Sequence, residues 1–378
     1  MNTEKINSLQ YPDCKRFNGY KPCFPDHNCL TEGCRERISI GKKILIIHLE
    51  ALGAVLSTTA QLPALKRKYP ESTIYWLTLK NATSLLDNNP YIDKVFTYDF
   101  QTLSVIAQME FDVVLNADKS QHTGALAMSL NAKERLGFGI NSVGQIIPLN
   151  DGAVYNYMLG LDDKLKFREN QKTIQEFFAE TFELEYSRDE YQFFFTDEEK
   201  DFICEYKKSI GLTGQDRVIG FNTGCSLLFP NKKMTIEQHV YLIEKLLSKG
   251  GYKILLLGGP EDKERNDEIF SRFNDKNLIN TPTNMGIRRG ACFIDMADII
   301  VTGDSFGMHM SIALKKFIIA WFGLSCWSEI DLYDRGVKMI PEGLECAPCW
   351  KRQCPYNLEC RQMIDLDGML NVILNYEF

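Results

Sequence analysis

Short apolar runs alternate with longer mixed stretches along most of this chain. Lys43 to His48 reads Lys-Ile-Leu-Ile-Ile-His, and comparable runs occur at Ser72 to Leu79, Lys94 to Tyr98 and Phe111 to Leu115. Runs of this length predict strands buried on both faces. Between them, helical spacing is seen from Val55 to Tyr69, with Pro70 as the stop, from Ala82 to Asp87 and from His122 to Leu130. Strands that alternate with helices in this way predict a parallel sheet with crossover connections. The stretch from Asp151 to Tyr191 reads as helical, charged and aromatic, and its best helix is Gln171 to Glu183. A second alternating series follows. Its strands are expected at Arg217 to Phe221, Tyr252 to Leu257, Ile299 to Thr302 and Phe317 to Phe322. Its helices are expected at Ile236 to Ser248, Asp262 to Phe270, Ile287 to Phe293 and Gly307 to Leu314. The pattern predicts two α/β domains facing a cleft. Ligands bind such sheets beyond the carboxyl ends of their strands.

Composition narrows the class. At 378 residues, 44% hydrophobic and 25% charged, the chain is long enough for two ordinary globular domains. A net charge of -7 and a pI near 5.5 argue against a general nucleic-acid binder. No apolar run reaches the length of a membrane span. The start, Met1 to Tyr11, lacks the apolar centre of a signal peptide. A cytoplasmic protein is expected, or one peripheral at the inner face of the membrane. Twelve cysteines are many for a reduced compartment, and metal binding suits them better than disulfides. Cys346, Cys349, Cys354 and Cys360 form a C-x2-C-x4-C-x5-C run, good ligands for zinc, iron or an iron–sulfur cluster. Cys14, Cys23, Cys29 and Cys34, with His27 among them, form a second set inside an irregular segment spanning residues 1–40. The two sets could form one composite site or two.

The polar punctuation of the second half carries the chemistry. Asn222-Thr223-Gly224, Lys232, Gly258-Gly259-Pro260-Glu261 and Asp304-Ser305-Phe306-Gly307-Met308-His309 each follow an apolar run. Amide groups near Gly224 and at the helix opening by Gly307 can meet phosphates. Asp304 also suits a helix N-cap, Glu261 a helix first turn, and His309 a packed interior position.

With Ile44-Leu45-Ile46-Ile47, Leu52-Gly53, Leu62-Pro63-Ala64-Leu65-Lys66, Tyr69-Pro70 and Asn89-Pro90-Tyr91-Ile92-Asp93, these motifs occur in an order that resembles glycosyltransferase family nine, the ADP-heptose heptosyltransferases of bacterial surface-glycan assembly. The resemblance runs from about Lys42 to the C-terminal helix. It implies a GT-B fold, two Rossmann-like domains facing a cleft, here with a cysteine-rich N-terminal appendage. It implies residues 41–190 as the acceptor domain and 191–345 as the nucleotide-sugar domain. Residues 346–378 would hold the cysteine motif and a last helix returning to the first domain. It implies an inverting transferase in lipopolysaccharide biosynthesis that passes a heptose or related sugar from an ADP-activated donor to a glycan or protein, with no catalytic metal. Iron, an iron–sulfur cluster or zinc would then be structural, and an oligomer is compatible.

Residue by residue, Lys232 would neutralise diphosphate charge, Glu261 would read the ribose, and Asp304 would hold the donor's surroundings. Thr223, Gly224, Ser305, Gly307 and His309 complete the implied donor set. The only Asp-x-Asp triplet, Asp365-Leu366-Asp367, lies far from any cleft strand. One departure matters. The family's first turn reads Leu/Met-Gly-Asp-Val, and its aspartate is the base, whereas this chain reads Leu52-Gly53-Ala54-Val55. Ala54 takes no proton. Asp118, in Asn116-Ala117-Asp118-Lys119, and Glu50 are the candidate replacements, with Asp118 favoured. Two other readings remain open at this point: a sugar-nucleotide-binding scaffold without turnover, and an iron- or redox-sensing protein on the same fold.

Overall fold

The computed structural model describes residues 10–34 and 36–378. The first strands are β1 (Lys42–Ile47), β2 (Ser72–Thr78), β3 (Lys94–Thr97), β4 (Glu110–Asn116), β5 (Asn131–Ile140) and β6 (Ile146–Pro148). They form one sheet in the order β3-β2-β1-β4-β5-β6. All neighbours are parallel except β5 and β6. The second sheet holds β7 (Arg217–Asn222), β8 (Tyr252–Leu257), β9 (Leu278–Asn280), β10 (Ile299–Gly303), β11 (Phe317–Trp321) and β12 (Gly336–Met339). Its order is β12-β11-β10-β7-β8-β9, parallel throughout. Both orders are that of the doubly wound dinucleotide-binding fold, and each reverses between its first and fourth strands. The crevices therefore open where β1 meets β4 and where β7 meets β10. The expected pair of Rossmann-like units is present.

The helices are α1 (Leu52–Thr58), α2 (Leu62–Lys68), α3 (Phe100–Ile106), α4 (Gln121–Ser129), α5 (Val154–Met158), α6 (Ile174–Thr181), α7 (Asp197–Ser209), α8 (Ile236–Lys249), α9 (Lys263–Ser271), α10 (Gly286–Asp295), α11 (Phe306–Ala313), α12 (Glu359–Gln362) and α13 (Leu366–Leu374). The expected helix from Val55 to Tyr69 is α1, a 3-10 turn at Thr59–Gln61 and α2, with Pro63 in the first turn of α2. The expected helix at Ala82 to Asp87 is a 3-10 turn, Thr83–Leu86. Capping boxes at Thr173, Thr196 and Thr235 start α6, α7 and α8.

One buried cluster runs through both units. It joins Ile44, Ile46 and Trp76 of the first sheet to Leu255, Leu257 and Ile300 of the second, through Val55 and Leu56 of α1 and Met308 and Ile312 of α11. The helix pair α1 and α11 is thus the hinge of contact between the two strand-end crevices. Arg288 of α10 adds a polar pin: it donates to Glu199 at 2.6 Å, to the Ser84 carbonyl at 2.8 Å and to the Phe194 carbonyl at 2.6 Å.

The last helix departs from expectation. It does not return to the first unit. Met369 and Ile373 of α13 are buried with Leu242, Ile243 and Leu246 of α8, and Tyr241 donates to Asp367 at 2.6 Å. The apolar faces of α8 and α13 complete each other, and that burial decides where the helix packs. The Asp-x-Asp triplet is structural: Asp365 caps α13 through the Gly368 amide at 2.8 Å. No helix among the described residues is long and apolar enough to cross a membrane.

Candidate active site

In the second unit, the strand-end loops of β7, β8, β9 and β10 surround a cavity of about 340 Å³. Gly224, Gly258, Gly259, Glu261, Ser305 and Gly307 supply its polar rim, and Ile287, Phe293 and Met310 its apolar wall. Leu52 of α1 is contributed by the first unit. A slot of this size, apolar with a few placed polar groups, suits a nucleotide.

Side chains behind the slot hold its loops in place. Asn222, at the end of β7, donates to Thr302 and Ser305, each at 2.9 Å. Asp262 accepts from the Gly259 amide at 3.1 Å and pairs with Lys233 at 2.9 Å. A Cβ on Gly224 would stand 1.8 Å from the Asp262 carboxylate, so only glycine lets these two loops meet. The Thr223 hydroxyl turns away from the slot and donates to Asn266 at 2.5 Å. Ser305 caps α11, accepting from the Met308 amide. The helix N-terminus therefore opens on the slot, as an anion site requires.

Lys232 and Asp304 form an ion pair at 2.6 Å, each side chain 12% exposed. Burial pushes the Asp304 carboxyl up, but Lys232 and His309 outweigh it and hold it below its ordinary value. The Lys232 ammonium lies 4.2 Å from the Trp350 ring centre, and Trp350 belongs to the C-terminal cysteine loop. That loop is tied to the second unit through the Cys349 and Trp350 amides on the Leu324 carbonyl. It is tied to the first through Arg168 on the Ala347 carbonyl at 2.9 Å.

His309 sits at the contact between units. Its Nδ1 lies 3.2 Å from the Tyr191 hydroxyl, and its ring stacks on Tyr191. Burial lowers its pKa, against the opposing charge of Asp304. A Cβ on Gly53 would stand 2.5 Å from the His309 ring. Gly53→Ala is therefore expected to destabilise the chain by about 1–3 kcal/mol, read as a lower thermal midpoint, because the two units can no longer approach fully.

Asp118 lies at the crevice of the first sheet. Its Oδ2 accepts from the Leu49 amide at 2.6 Å, and its Oδ1 is 3.5 Å from His48 Nε2. Burial pushes the carboxyl up to about 7, opposed by the Leu49 amide and assisted by the charge of Glu50. His48 is fully buried and is lowered to about 3, so it stays neutral. Glu50 is exposed, on the loop between β1 and α1. From Leu49 that loop runs to Leu52 at the slot and Gly53 at His309. The geometry thus links Asp118 to the slot through a few residues, and Ala54 lies beyond them in α1.

The sequence reading missed several neighbours. Lys119 donates to the Asn156 carbonyl and side chain at 2.6 and 2.8 Å. Burial, with the charge of Lys166 nearby, lowers its ammonium to about 8. Glu329 lies 3.8 Å from Lys166, and burial raises it. Lys119, Lys166 and Glu329 come from three distant segments, and only the Lys119 next to Asp118 gave a signal in the sequence.

The two cysteine sets are separate. Cys346, Cys349, Cys354 and Cys360 line a small cavity of about 30 Å³, and the Tyr356 amide donates to the Cys354 sulfur at 3.4 Å. Cys14, Cys23, Cys29 and Cys34 line another, of about 360 Å³, with no residue in common. All eight are free thiols. Their chemistry suits a thiophilic metal, although among the described residues no group of three His, Cys, Asp or Glu side chains is arranged so that it could hold a metal ion.

Comparison with known proteins agrees with this architecture. The model of glycosyltransferase family 9 (heptosyltransferase) matches residues 103–359. Lipooligosaccharide heptosyltransferase 2 of Campylobacter jejuni is 25% identical over 168 residues, 43% of this chain and 51% of that protein. The crystal structure of a family 9 glycosyl transferase from Veillonella parvula superposes with a TM-score of 0.65 at 20% identity, over 79% of this chain and 85% of that one. The dodecameric iron-containing heptosyltransferase TibC, from enterotoxigenic Escherichia coli and solved with ADP-D-β-D-heptose, gives a TM-score of 0.51 at 11% identity, over 89% and 78%. The fold is the GT-B fold of the heptosyltransferases. The chain belongs to glycosyltransferase family 9 and is a glycosyltransferase.

Proposed function

We propose that this protein is an inverting heptosyltransferase with an ADP-activated donor and that Asp118 replaces the base missing at Ala54. The observation that carries the reading is the pairing of a nucleotide-sized slot at the β7–β10 crevice with a buried carboxyl at the β1–β4 crevice, joined by the loop from Leu49 to Gly53. Residues 191–345 hold the donor and residues 41–190 the acceptor. Gly224, Ser305 and Gly307 present amide groups to the diphosphate, Glu261 meets the ribose, and Lys232 stabilises the charge that develops as the nucleoside diphosphate departs. Asp304 holds Lys232 in place, and Thr223 and His309 support the slot from behind. Asp118 takes the acceptor proton, and Glu50 tunes it by charge rather than acting as the base.

The acceptor is a surface glycan, as for the lipooligosaccharide relative. Protein acceptors are the competing class, and both belong in the assay. Cys346, Cys349, Cys354 and Cys360 would hold a structural metal, for which the iron-containing relative is a precedent, and it would stiffen the loop that carries Trp350.

Calorimetry with ADP should give micromolar binding, and the ADP-heptose donor should yield a sugar-modified acceptor by mass spectrometry. No affinity for ADP or for any sugar nucleotide in metal-replete protein would overturn the reading.

A further inference from the structure

Between Gln10 and Gly41 the described residues form no helix or strand, and not one apolar side chain of that segment enters the buried core. Tyr11, Tyr20, Phe24, Leu30 and Ile38 are all exposed. A stretch of this length with neither ladder nor core cannot offset its ordering entropy by burial. Yet its two stems are clamped. Asp13 accepts from Arg37 and Ser39, each at 2.7 Å, and from the Ile40 amide at 3.0 Å. Lys15 reaches Asp93 at 2.8 Å and the Ser72 carbonyl at 2.7 Å, which docks the stems on the first sheet.

Something must hold the loop between these stems. Small units without a core are held by disulfides or by metal. The thiols here are free, and all four face one cavity together with His27. Arg16, Lys21 and Arg37 also line the cavity, with Glu32 and Glu36. His27 turns Nδ1 to Glu32 at 3.2 Å.

We infer that Cys14, Cys23, Cys29 and Cys34 hold a second metal centre, independent of the C-terminal one, that folds the N-terminal loop. The ligand class is a thiophilic metal, zinc or iron, bound singly or as a sulfide-bridged cluster. Each thiol releases its proton on binding. The inference does not rest on the donor reading, because the loop shares no lining residue with the nucleotide slot.

The test is elemental analysis of full-length protein made in medium containing both metals. Cys23→Ser/Cys29→Ser and Cys349→Ser/Cys354→Ser should each lose part of the metal that the native chain carries, and the two losses should add when the variants are combined. Limited proteolysis of the first variant should open sites between Arg16 and Glu36, with unchanged far-UV circular dichroism as proof that the two α/β units are intact. Visible absorption and acid-labile sulfide tell iron, cluster and zinc apart, and any of them supports the inference. Unchanged metal content in the first variant would overturn it. So would disulfides found among these four cysteines by thiol counting on protein unfolded without reductant.

Discussion

Asp118→Asn is expected to lower kcat by about 10²–10⁴-fold while leaving the donor KM within a few-fold, because general-base assistance acts on the transition state and not on donor binding. The carboxyl is pushed up to about 7 by burial, so it is half protonated near neutrality. A base works only when deprotonated. The native rate should therefore rise about tenfold per pH unit below about 7 and level off above it, and the variant's residual rate should lack that limb. The same carboxyl gives a stability signature. The folded chain holds its proton between about 4 and about 7 while the unfolded chain has lost it, so the folded state binds more protons in that window. Stability from this group is present below about 4 and is lost as pH climbs through about 7. Asp118→Asn should flatten that part of the denaturation profile. Glu50→Gln should keep most activity and shift the limb to lower pH, because a negative neighbour has been removed. If Glu50→Gln abolished transfer and Asp118→Asn did not, the assignment of roles would be reversed.

Lys232→Met is the second large effect. It should cut kcat by about 10²–10³-fold, the typical loss when one stabilising donor at a developing charge is removed. It should also destabilise the protein by about 3–5 kcal/mol, because Asp304 would be left buried without its partner. The two consequences separate in a double variant. Adding Asp304→Asn should restore much of the unfolding free energy measured in urea but none of the transfer rate. A double variant that regained activity would show that Lys232 serves only to neutralise Asp304.

Much of the strand map was legible because parallel strands are buried on both faces and read as plain apolar runs. Strands β1, β2, β4, β7, β8 and β10 all match such runs. Strand β5 was not legible. It opens Asn-Ala-Lys-Glu-Arg, and only Leu136 to Gly139 are buried, so its charged first half hides it. The short edge strands β9 and β12 carry too few residues for a period to show. Helix α7 begins with a run of acids that reads as a solvated stretch, although Thr196 and Glu199 spell out a capping box.

For the site, chain order alone marked the residues at strand ends, because a doubly wound sheet sends every βα turn to the same edge. That is why Gly224, Glu261, Ser305 and Gly307 line one slot. The same logic brought Asp118 to the crevice of the first sheet. Chain order did not reveal which of those groups pair with each other. The Lys233–Asp262 and Lys232–Trp350 contacts, the wedge of Gly53 against His309, and the approach of Lys166 to Glu329 join segments distant in sequence. Nor did it place the last helix, whose apolar face α8 claimed. Local pattern fixes which faces must be buried, since that depends on the period of each element. Only packing decides which buried face meets which, and with it the ionisation of Asp118, because desolvation depends on everything folded around the group.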